Sequence, residues 1–454
     1  MHVINPYTEE IIATLKEDTA ETLQQKFTLL KAHQAIWKAV PLQERVIILQ
    51  LFADLLKQNI EALASILTSE MGKPLQQSRN EVNGAANRIS WLTTHAVKYL
   101  SEEVMTLDDH LVEKIVYEPL GVICNISAWN YPFNVGVNVF VPALLAGNAV
   151  MYKPSEYASL TGLEIEKYLK QAGVPDEVFQ VAIGDSAVGD CLLDLDFNGY
   201  YFTGSYKTGK YIYEKVAGKM VPCQLELGGK DPVYVADDIE DIKSVAVGIA
   251  DGAFYNNGQS CCAVERIYVQ ENRYDQFVTE FVKEVTSWKI GAPNEPGTYI
   301  SVLSRKSQVD FLEHQLEDAL VKGAKVMTGG HRMNKKGYAF EPTVLIDVNH
   351  RMDVMKEESF GPVIGIMKVK DDLEAIQRMN DTMYGLTAAV YSKSLHRAQA
   401  IFDHMDTGTV YWNCCDRVSP AVPWSGRKHS GIGSTLSHQG LRAFTQAKAY
   451  QLRG

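Results

Sequence analysis

Over the first hundred residues the apolar positions recur every three to four residues, the spacing of helices that bury one face. Residues 42–58 and 60–70 keep that period with no internal Gly or Pro, and are read as long amphipathic helices. From Pro119 the pattern changes to short apolar runs at 121–127, 149–153, 178–183 and 200–203, which predict strands. Helical stretches at 134–145, 159–171 and 186–193 lie between them. That alternation predicts a parallel sheet covered on both faces. A second run starts at Asp231, with strands at 233–236, 266–270 and 364–369 and helices at 241–255, 274–288 and 373–380. Gly329-Gly330 and residues 334–337 mark surface turns. No repeat, low-complexity tract or flexible linker interrupts the chain, so its parts should pack closely.

Composition narrows the class. A chain of 454 residues, 46% hydrophobic and 22% charged, can fill two or three globular domains. Its net charge of −11, with no basic stripe, argues against nucleic acid or an anionic membrane as partner. The most apolar stretch, 135–152, contains Asn138, Pro142 and Asn148, and reads as a buried helix followed by a strand rather than a membrane span. The first twenty residues carry acids where a secretory signal needs a basic start, so a cytoplasmic location is expected. Seven cysteines, two adjacent pairs among them, with no CxxC and no HExxH, predict reduced thiols and neither a disulfide framework nor a metal site.

Three segments carry candidate chemistry. Asn256-Asn257-Gly258-Gln259-Ser260-Cys261-Cys262 places a cysteine after a small polar turn between a helix and a strand, where backbone N–H groups favour a nucleophilic thiolate. On its own, Cys261 is equally readable as a buried small hydrophobe. Glu226-Leu227-Gly228-Gly229-Lys230 puts a carboxylate at a strand end beside two glycines, where it can act as a general base; a plain surface carboxylate is the alternative. Ala128-Trp129-Asn130-Tyr131-Pro132 follows a strand, where ligands bind in open α/β sheets. Asn130 there is either an amide aimed at a developing oxyanion or the start of an Asx turn.

Together these segments resemble the aldehyde dehydrogenase family over nearly the whole chain. The resemblance also takes in Asn5-Pro6-Tyr7-Thr8, Lys153-Pro154-Ser155-Glu156, Phe202-Thr203-Gly204-Ser205, Glu357-Glu358-Ser359-Phe360-Gly361-Pro362 and Ser430-Gly431-Ile432-Gly433. It implies Cys261 as nucleophile, Glu226 as general base and Asn130 as oxyanion donor, with Cys262 a bystander. It implies a cofactor site of Trp129, Lys153, Ser155, Glu156, Gly184, Thr203, Gly204, Ser205, Glu358 and Phe360. Lys153 and Glu156 would hold the adenosine ribose, Ser205 the pyrophosphate, and Glu358 the nicotinamide ribose with Phe360 at that end. A carboxylate at Glu156 repels a 2′-phosphate, so NAD is expected over NADP.

Two motifs are decoys. Gly204 to Lys210 has the G-x-x-x-x-G-K of a phosphate loop, but Tyr211 stands where magnesium needs a hydroxyl. The G-x-G-x-x-G dinucleotide fingerprint is absent, and Gly184 to Gly189 is only a loose relative; the resemblance accommodates this, since the family binds NAD on a variant Rossmann sheet.

The resemblance implies an α/β fold of two Rossmann-like parallel-sheet domains with a β-extension. Residues 1–100 and 119–228 would bind NAD, residues 229–434 would form the catalytic domain, and residues 101–118 and 440–453 would pair between subunits in a homodimer or homotetramer. Some features depart from the family's pattern. Asn138-Val139 stands where many members have Trp-Lys, which predicts a smaller, uncharged pocket wall. Tyr255 stands where succinate-semialdehyde enzymes typically carry Arg, which weakens a carboxylate-bearing substrate. Gly433-Ser434-Thr435 replaces the more usual G-R-E, read as touching no catalytic role, and Asp416 and Arg417 are read first as a solvated loop pair at the substrate mouth. The expected reaction is NAD-dependent oxidation of an aldehyde to its acid. A succinate-semialdehyde or aminoaldehyde enzyme and a CoA-acylating relative remain as alternatives, and Glu226 favours hydrolysis over the last.

Overall fold

The computed structural model describes residues 1–333 and 336–454; Asn334 and Lys335, part of the turn expected at 334–337, lie outside the described residues. Two large sheets organise the molecule. In spatial order the first runs Gly431–Ile432, Cys223–Glu226, Gly199–Thr203, Val122–Ile126, Ala149–Lys153 and Phe179–Val181. Its neighbours are parallel except for Gly431–Ile432, which pairs antiparallel with the strand ending at Glu226. Chain order proceeds outward on both sides of Val122–Ile126, so a crevice opens beyond the carboxyl end of that strand. The segment from Ser127 to Asn130 emerges there.

The second sheet runs Lys325–Thr328, Thr343–Ile346, Val363–Val369, Val264–Gln270, Asp231–Val235, Thr387–Tyr391 and Thr409–Trp412, with only the first strand antiparallel. Its central strands are buried on both faces, as expected for a sheet sandwiched between helices. Only residues 227–230 separate Glu226, at the end of a strand of the first sheet, from Asp231, at the start of a strand of the second. The carboxyl end of a strand in one sheet therefore leads directly to the amino end of a strand in the other.

A third, antiparallel sheet stands apart, with Leu111–Pro119 flanked by Glu103–Leu107 and Thr445–Arg453. Its outer strands expose Val104, Met105, Leu107 and Leu452. The expected strands and helices of both α/β runs are present, with ends shifted by a few residues. At the amino terminus a hairpin, His2–Ile4 with Ile11–Thr14, stands where only helices were expected. The Asn5 side chain caps its turn, accepting from the N–H groups of Tyr7 (2.9 Å) and Thr8 (3.2 Å). The stretch 135–152 is helix Pro132–Ala146 followed by strand Ala149–Lys153, both almost wholly buried. Among the described residues no helix is long and apolar enough to cross a membrane.

Candidate active site

Cys261 sits in a tight loop between helix Ile242–Phe254 and strand Val264–Gln270. Asn256 and Asn257 take left-handed backbone (φ 55° and 56°) ahead of Gly258 (φ 73°), a sequence of angles that only residues of this kind adopt readily. A Cβ on Gly258 would collide with the Gly361 carbonyl, so this glycine also permits the close approach of the two loops. The amides lock the loop. Asn257 donates to the Val302 carbonyl (3.0 Å) and accepts from the Ser301 N–H (2.7 Å). Gln259 accepts from the Ser304 N–H (3.0 Å), and Asn256 donates to the carbonyls of Asn130 (3.1 Å) and Gln259 (3.0 Å). Cys261 itself is left partly exposed.

Two cavities meet at this thiol. The larger, about 810 Å³, runs from Glu156 and Lys153 to Cys261 and Glu358. The smaller, about 360 Å³, is lined by Arg88, Tyr255 and Asp416 among others. Cys261, Asn130, Thr203 and Glu226 line both. The three residues singled out as candidate chemistry, spread over 132 positions of sequence from Asn130 to Cys261 inclusive, thus share one junction.

A buried Lys–Glu pair positions each flank. Lys73 and Glu81, both fully buried, form an ion pair; Lys73 donates to the Asn130 carbonyl (2.8 Å) and Glu81 accepts from the Phe133 N–H (2.9 Å). The Asn130 side chain does not make a local Asx turn: it donates to the Gln259 carbonyl (3.2 Å), and its second N–H has no acceptor among the described residues. On the other flank Lys230 pairs with Glu265 (2.6 Å) and donates to Ser359 (3.0 Å), while Glu265 accepts from the N–H groups of Ser359 and Phe360 (both 3.0 Å). These bonds hold the turn that presents Glu358. Glycines 228 and 229 fit beneath it, because a Cβ on Gly228 would strike the Glu358 carboxyl and one on Gly229 would crowd the Cys261 carbonyl. The Gly229 N–H donates to Glu358 (2.9 Å).

Electrostatics separate the candidate roles. Burial pushes Glu226 up to about 7, opposed by a hydrogen bond from Thr435 and by the Arg88 charge. A carboxylate with that value is half ionised at neutral pH, suited to taking and returning a proton. The Thr435 hydroxyl donates to Glu226 Oε1, which corrects the expectation that the Gly433-Ser434-Thr435 segment touches no catalytic candidate. Cys262 is buried, and hydrogen bonding with the neighbouring Cys261 thiol, burial and Asp416 hold its thiol well above the ordinary range. Asp416 accepts from Cys262 (3.0 Å) and Ser260 (3.2 Å), and burial pushes it up to about 7. It is not a solvated loop carboxylate.

Along the larger cavity lie Trp129, Lys153, Ser155, Glu156, Thr203, Gly204, Ser205, Glu358 and Phe360. Trp129 meets Phe360 edge to face (5.4 Å between centroids), and Ser205 caps helix Tyr206–Val216, whose amino end opens into the cavity. Ser155 donates to the Glu156 carboxylate (3.1 Å). Lys210, the lysine of the phosphate-loop decoy, pairs with Glu214 (3.1 Å) on the surface of that helix. Gly184 does not line the cavity: its φ of 152° and its packing against Val188 make it a turn residue. Among the described residues no three His, Cys, Asp or Glu side chains cluster in a way that would hold a metal ion.

The profile of the aldehyde dehydrogenase family matches residues 1–450. The chain belongs to that family. Relatives are similar over almost the full length: the chain is 33% identical to a succinate-semialdehyde dehydrogenase [NADP(+)] of Deinococcus radiodurans, over 98% of this chain and 93% of the relative. It is also 33% identical to betaine aldehyde dehydrogenase of Bacillus subtilis, over 98% and 92%. The structure of Staphylococcus aureus betaine aldehyde dehydrogenase in complex with NAD⁺ superposes with a TM-score of 0.95 at 31% identity, covering 100% of this chain and 92% of that one. Aldehyde dehydrogenases of this kind bind NAD or NADP.

In this aldehyde dehydrogenase several side chains at the junction carry no motif. Arg88, Thr435, the Lys73–Glu81 pair and Arg305, whose guanidinium lies 5.4 Å from the Trp129 ring centroid, were all missed by the sequence reading. Thr435 alone had a signal, as a departure from the family's pattern. Arg88 and Glu81 come from a helix that shows only ordinary amphipathic periodicity, Lys73 from the short link before it, and Arg305 from the residue that precedes helix Lys306–Val321.

Proposed function

We propose that the chain oxidises an aldehyde to the carboxylic acid with NAD, through a thioester on Cys261. The observation that supports this most is the meeting of Cys261, Glu226 and Asn130 where the two cavities join. The larger cavity suits a dinucleotide in size and in lining: Lys153 and Glu156 would hold the adenosine ribose, the helix amino end at Ser205 the pyrophosphate, and Glu358 the other ribose. A bound nicotinamide there supplies the hydride acceptor. The carboxylate at Glu156 disfavours a 2′-phosphate, hence NAD over NADP.

This chain's own residues carry the other steps. The Cys261 thiolate attacks the carbonyl carbon from the small-cavity side. The free N–H of the Asn130 amide and the Cys261 backbone N–H stabilise the oxyanion, each worth roughly 3–4 kcal/mol. Oxidation of the thiohemiacetal leaves a thioester on Cys261. Glu226, near 7, takes a proton from water, and the resulting hydroxide releases the acid. Glu226 supports hydrolysis over transfer to CoA.

For organisation, the reading assigns residues 1–100 and 119–228 to a cofactor-binding part, 229–434 to a catalytic part whose strand Gly431–Ile432 reaches back to the edge of the first sheet, and 101–118 and 440–453 to a surface that pairs between subunits in a homodimer or homotetramer. A panel of aliphatic, aromatic, amino- and carboxy-aldehydes, followed by reduced-cofactor absorbance with NAD and with NADP, tests the reading. Reduction of NAD by at least one class is expected; no reduction of either cofactor with any aldehyde would overturn it.

A further inference from the structure

The smaller cavity holds a guanidinium that no motif announces. Arg88 projects from helix Leu75–Leu100 toward helix Pro132–Ala146. Its Nη1 donates to the Asn134 carbonyl (3.3 Å) and the Asn138 side-chain oxygen (3.1 Å). Nε and Nη2 have no acceptor, and no carboxylate stands within ion-pair distance of Arg88, among the described residues. Of the acids lining the cavity, Asp251 accepts from the Tyr299 hydroxyl (2.6 Å), Asp416 from Ser260 and Cys262, and Glu226 from the Thr435 hydroxyl; Glu226 feels the Arg88 charge but forms no ion pair with it.

An arginine without a carboxylate partner in a cavity is costly unless something else supplies the charge. Its fork is fixed at one nitrogen by Asn138 and Asn134, leaving the other edge in the planar geometry that matches a carboxylate with two parallel hydrogen bonds. Asn138 thereby gains a purpose: it orients the guanidinium instead of contacting the substrate as a bulky wall.

We propose that Arg88 is the specificity-determining residue of the aldehyde cavity, binding a carboxylate at the far end of the substrate while the carbonyl lies at Cys261. This rests on the aldehyde-oxidising reading above and names the substrate class of that same site. It also replaces the expectation drawn from Tyr255: the cation is delivered from a different helix, and Tyr255 Oη instead accepts from Asn80 (3.0 Å). Arg417, exposed on the loop after Cys415, adds a second positive charge at the rim.

The test compares semialdehydes of three- to five-carbon dicarboxylic acids with neutral alkanals and with ω-ammonium aldehydes of equal length, in the wild-type enzyme, Arg88→Lys and Arg88→Gln. A two-bond guanidinium–carboxylate contact corresponds to roughly a 10- to 100-fold preference. Wild type should favour a semialdehyde over its alkanal by that factor in kcat/KM, mostly through KM. Arg88→Gln should erase the ratio, and Arg88→Lys, which keeps the charge but not the fork, should retain part of it. Thermal melting and NAD binding establish that each variant is folded. An unchanged ratio in Arg88→Gln, a parallel fall for all three classes, or a preference for ammonium aldehydes would overturn the proposal. Glutarate, which cannot react, provides a readout without turnover: it should slow alkylation of Cys261 by iodoacetamide in wild type and not in Arg88→Gln. Glutarate protection with no oxidation of any aldehyde would sink the enzymatic reading and leave carboxylate binding standing. Oxidation of aldehydes with no carboxylate preference and no protection would sink this inference alone.

Discussion

The two cavities that meet at Cys261 are built in different ways. The larger is lined mainly by residues from short contiguous segments at strand ends and helix starts: Ile126 to Asn130, Lys153 to Tyr157, Phe202 to Ser205, Glu226 to Gly228. Backbone geometry dictates each of these segments, so a Gly, a small cap or a fixed spacing marks it. The smaller is assembled from single side chains that project from separate elements: Arg88 from one helix, Asn138 from another, Tyr255 from the end of a third, Asp416 and Trp424 from a distant loop. No local backbone rule marks these positions. A surface built from backbone tolerates little change, whereas one built from side chains can be altered one residue at a time. The division suits an enzyme whose cofactor is fixed and whose substrate is not.

The sharpest test of the comparison lies at the junction. Cys261→Ala should abolish aldehyde oxidation, a loss of roughly a thousandfold or more in kcat, with NAD binding retained because the larger cavity is intact. Cys262→Ala should keep most activity, since that thiol is buried and held protonated. Steady-state kinetics with parallel titration of NAD fluorescence quenching reads both. Reversed phenotypes would mean that Cys262 is the nucleophile.

Glu226→Gln comes next. It removes the base while leaving the thiol and oxyanion donors, so turnover should fall by roughly 10²–10⁴. A rapid-mix experiment should show a burst of reduced cofactor near one equivalent per subunit, with the acyl group retained on Cys261. Wild-type turnover would rule out the role. Absence of a burst would assign Glu226 to an earlier step, deprotonation of Cys261.

The sequence reading reached both of these residues because each belongs to a motif with a backbone reason. Glu226 precedes two glycines that make room for Glu358 and Cys261, and Cys261 follows a turn of left-handed asparagines. The two α/β runs were legible for a related reason, through short, largely apolar runs that alternate with helical stretches and end up buried. The amino-terminal hairpin was not, because its strands are three and four residues long and mostly exposed, too short to impose a period. Arg88 was not, because on an amphipathic helix a cation aimed inward looks like one aimed at water until tertiary packing is known; nor was Lys73, in the short link between two helices, where nothing local marks a buried cation. Gly184, which the resemblance assigns to the cofactor site, takes a positive φ in a turn packed against Val188.

A smaller effect is expected at Glu156, which lines the larger cavity. Glu156→Gln removes the charge that opposes a 2′-phosphate while keeping a hydrogen-bonding side chain. The ratio of kcat/KM for NAD over NADP should fall by roughly tenfold, the effect of about 1.4 kcal/mol of lost repulsion. Selectivity among aldehydes should not move, since Glu156 lines only the larger cavity. A wild-type preference for NADP, or a shift in aldehyde selectivity, would break the separation of the two sites.

The smallest expected effect concerns Thr435, which joins the two kinds of construction. Its hydroxyl is a lone side chain from a late segment, yet it bonds the motif residue Glu226. That hydrogen bond stabilises the carboxylate and opposes the upward push of burial that brings Glu226 to about 7. The base works only when deprotonated, so activity should rise with pH through a limb near that value. In Thr435→Val the bond is lost, the carboxyl rises further, and the limb should move to higher pH by about one unit, the size of one charge-assisted hydrogen bond partly offset by solvent. At pH 7 the cost should be several-fold in the hydrolytic step. Above pH 9 the two proteins should converge, because Glu226 is then ionised in both. Thr435→Ser keeps the donor and should restore the wild-type limb, which a purely structural role for the threonine methyl would not produce. A pH–rate profile of kcat for the three proteins decides the point. If Thr435→Val lowers activity equally at all pH values, Thr435 packs against Glu226 without tuning it, and the value near 7 is set by burial and Arg88 alone.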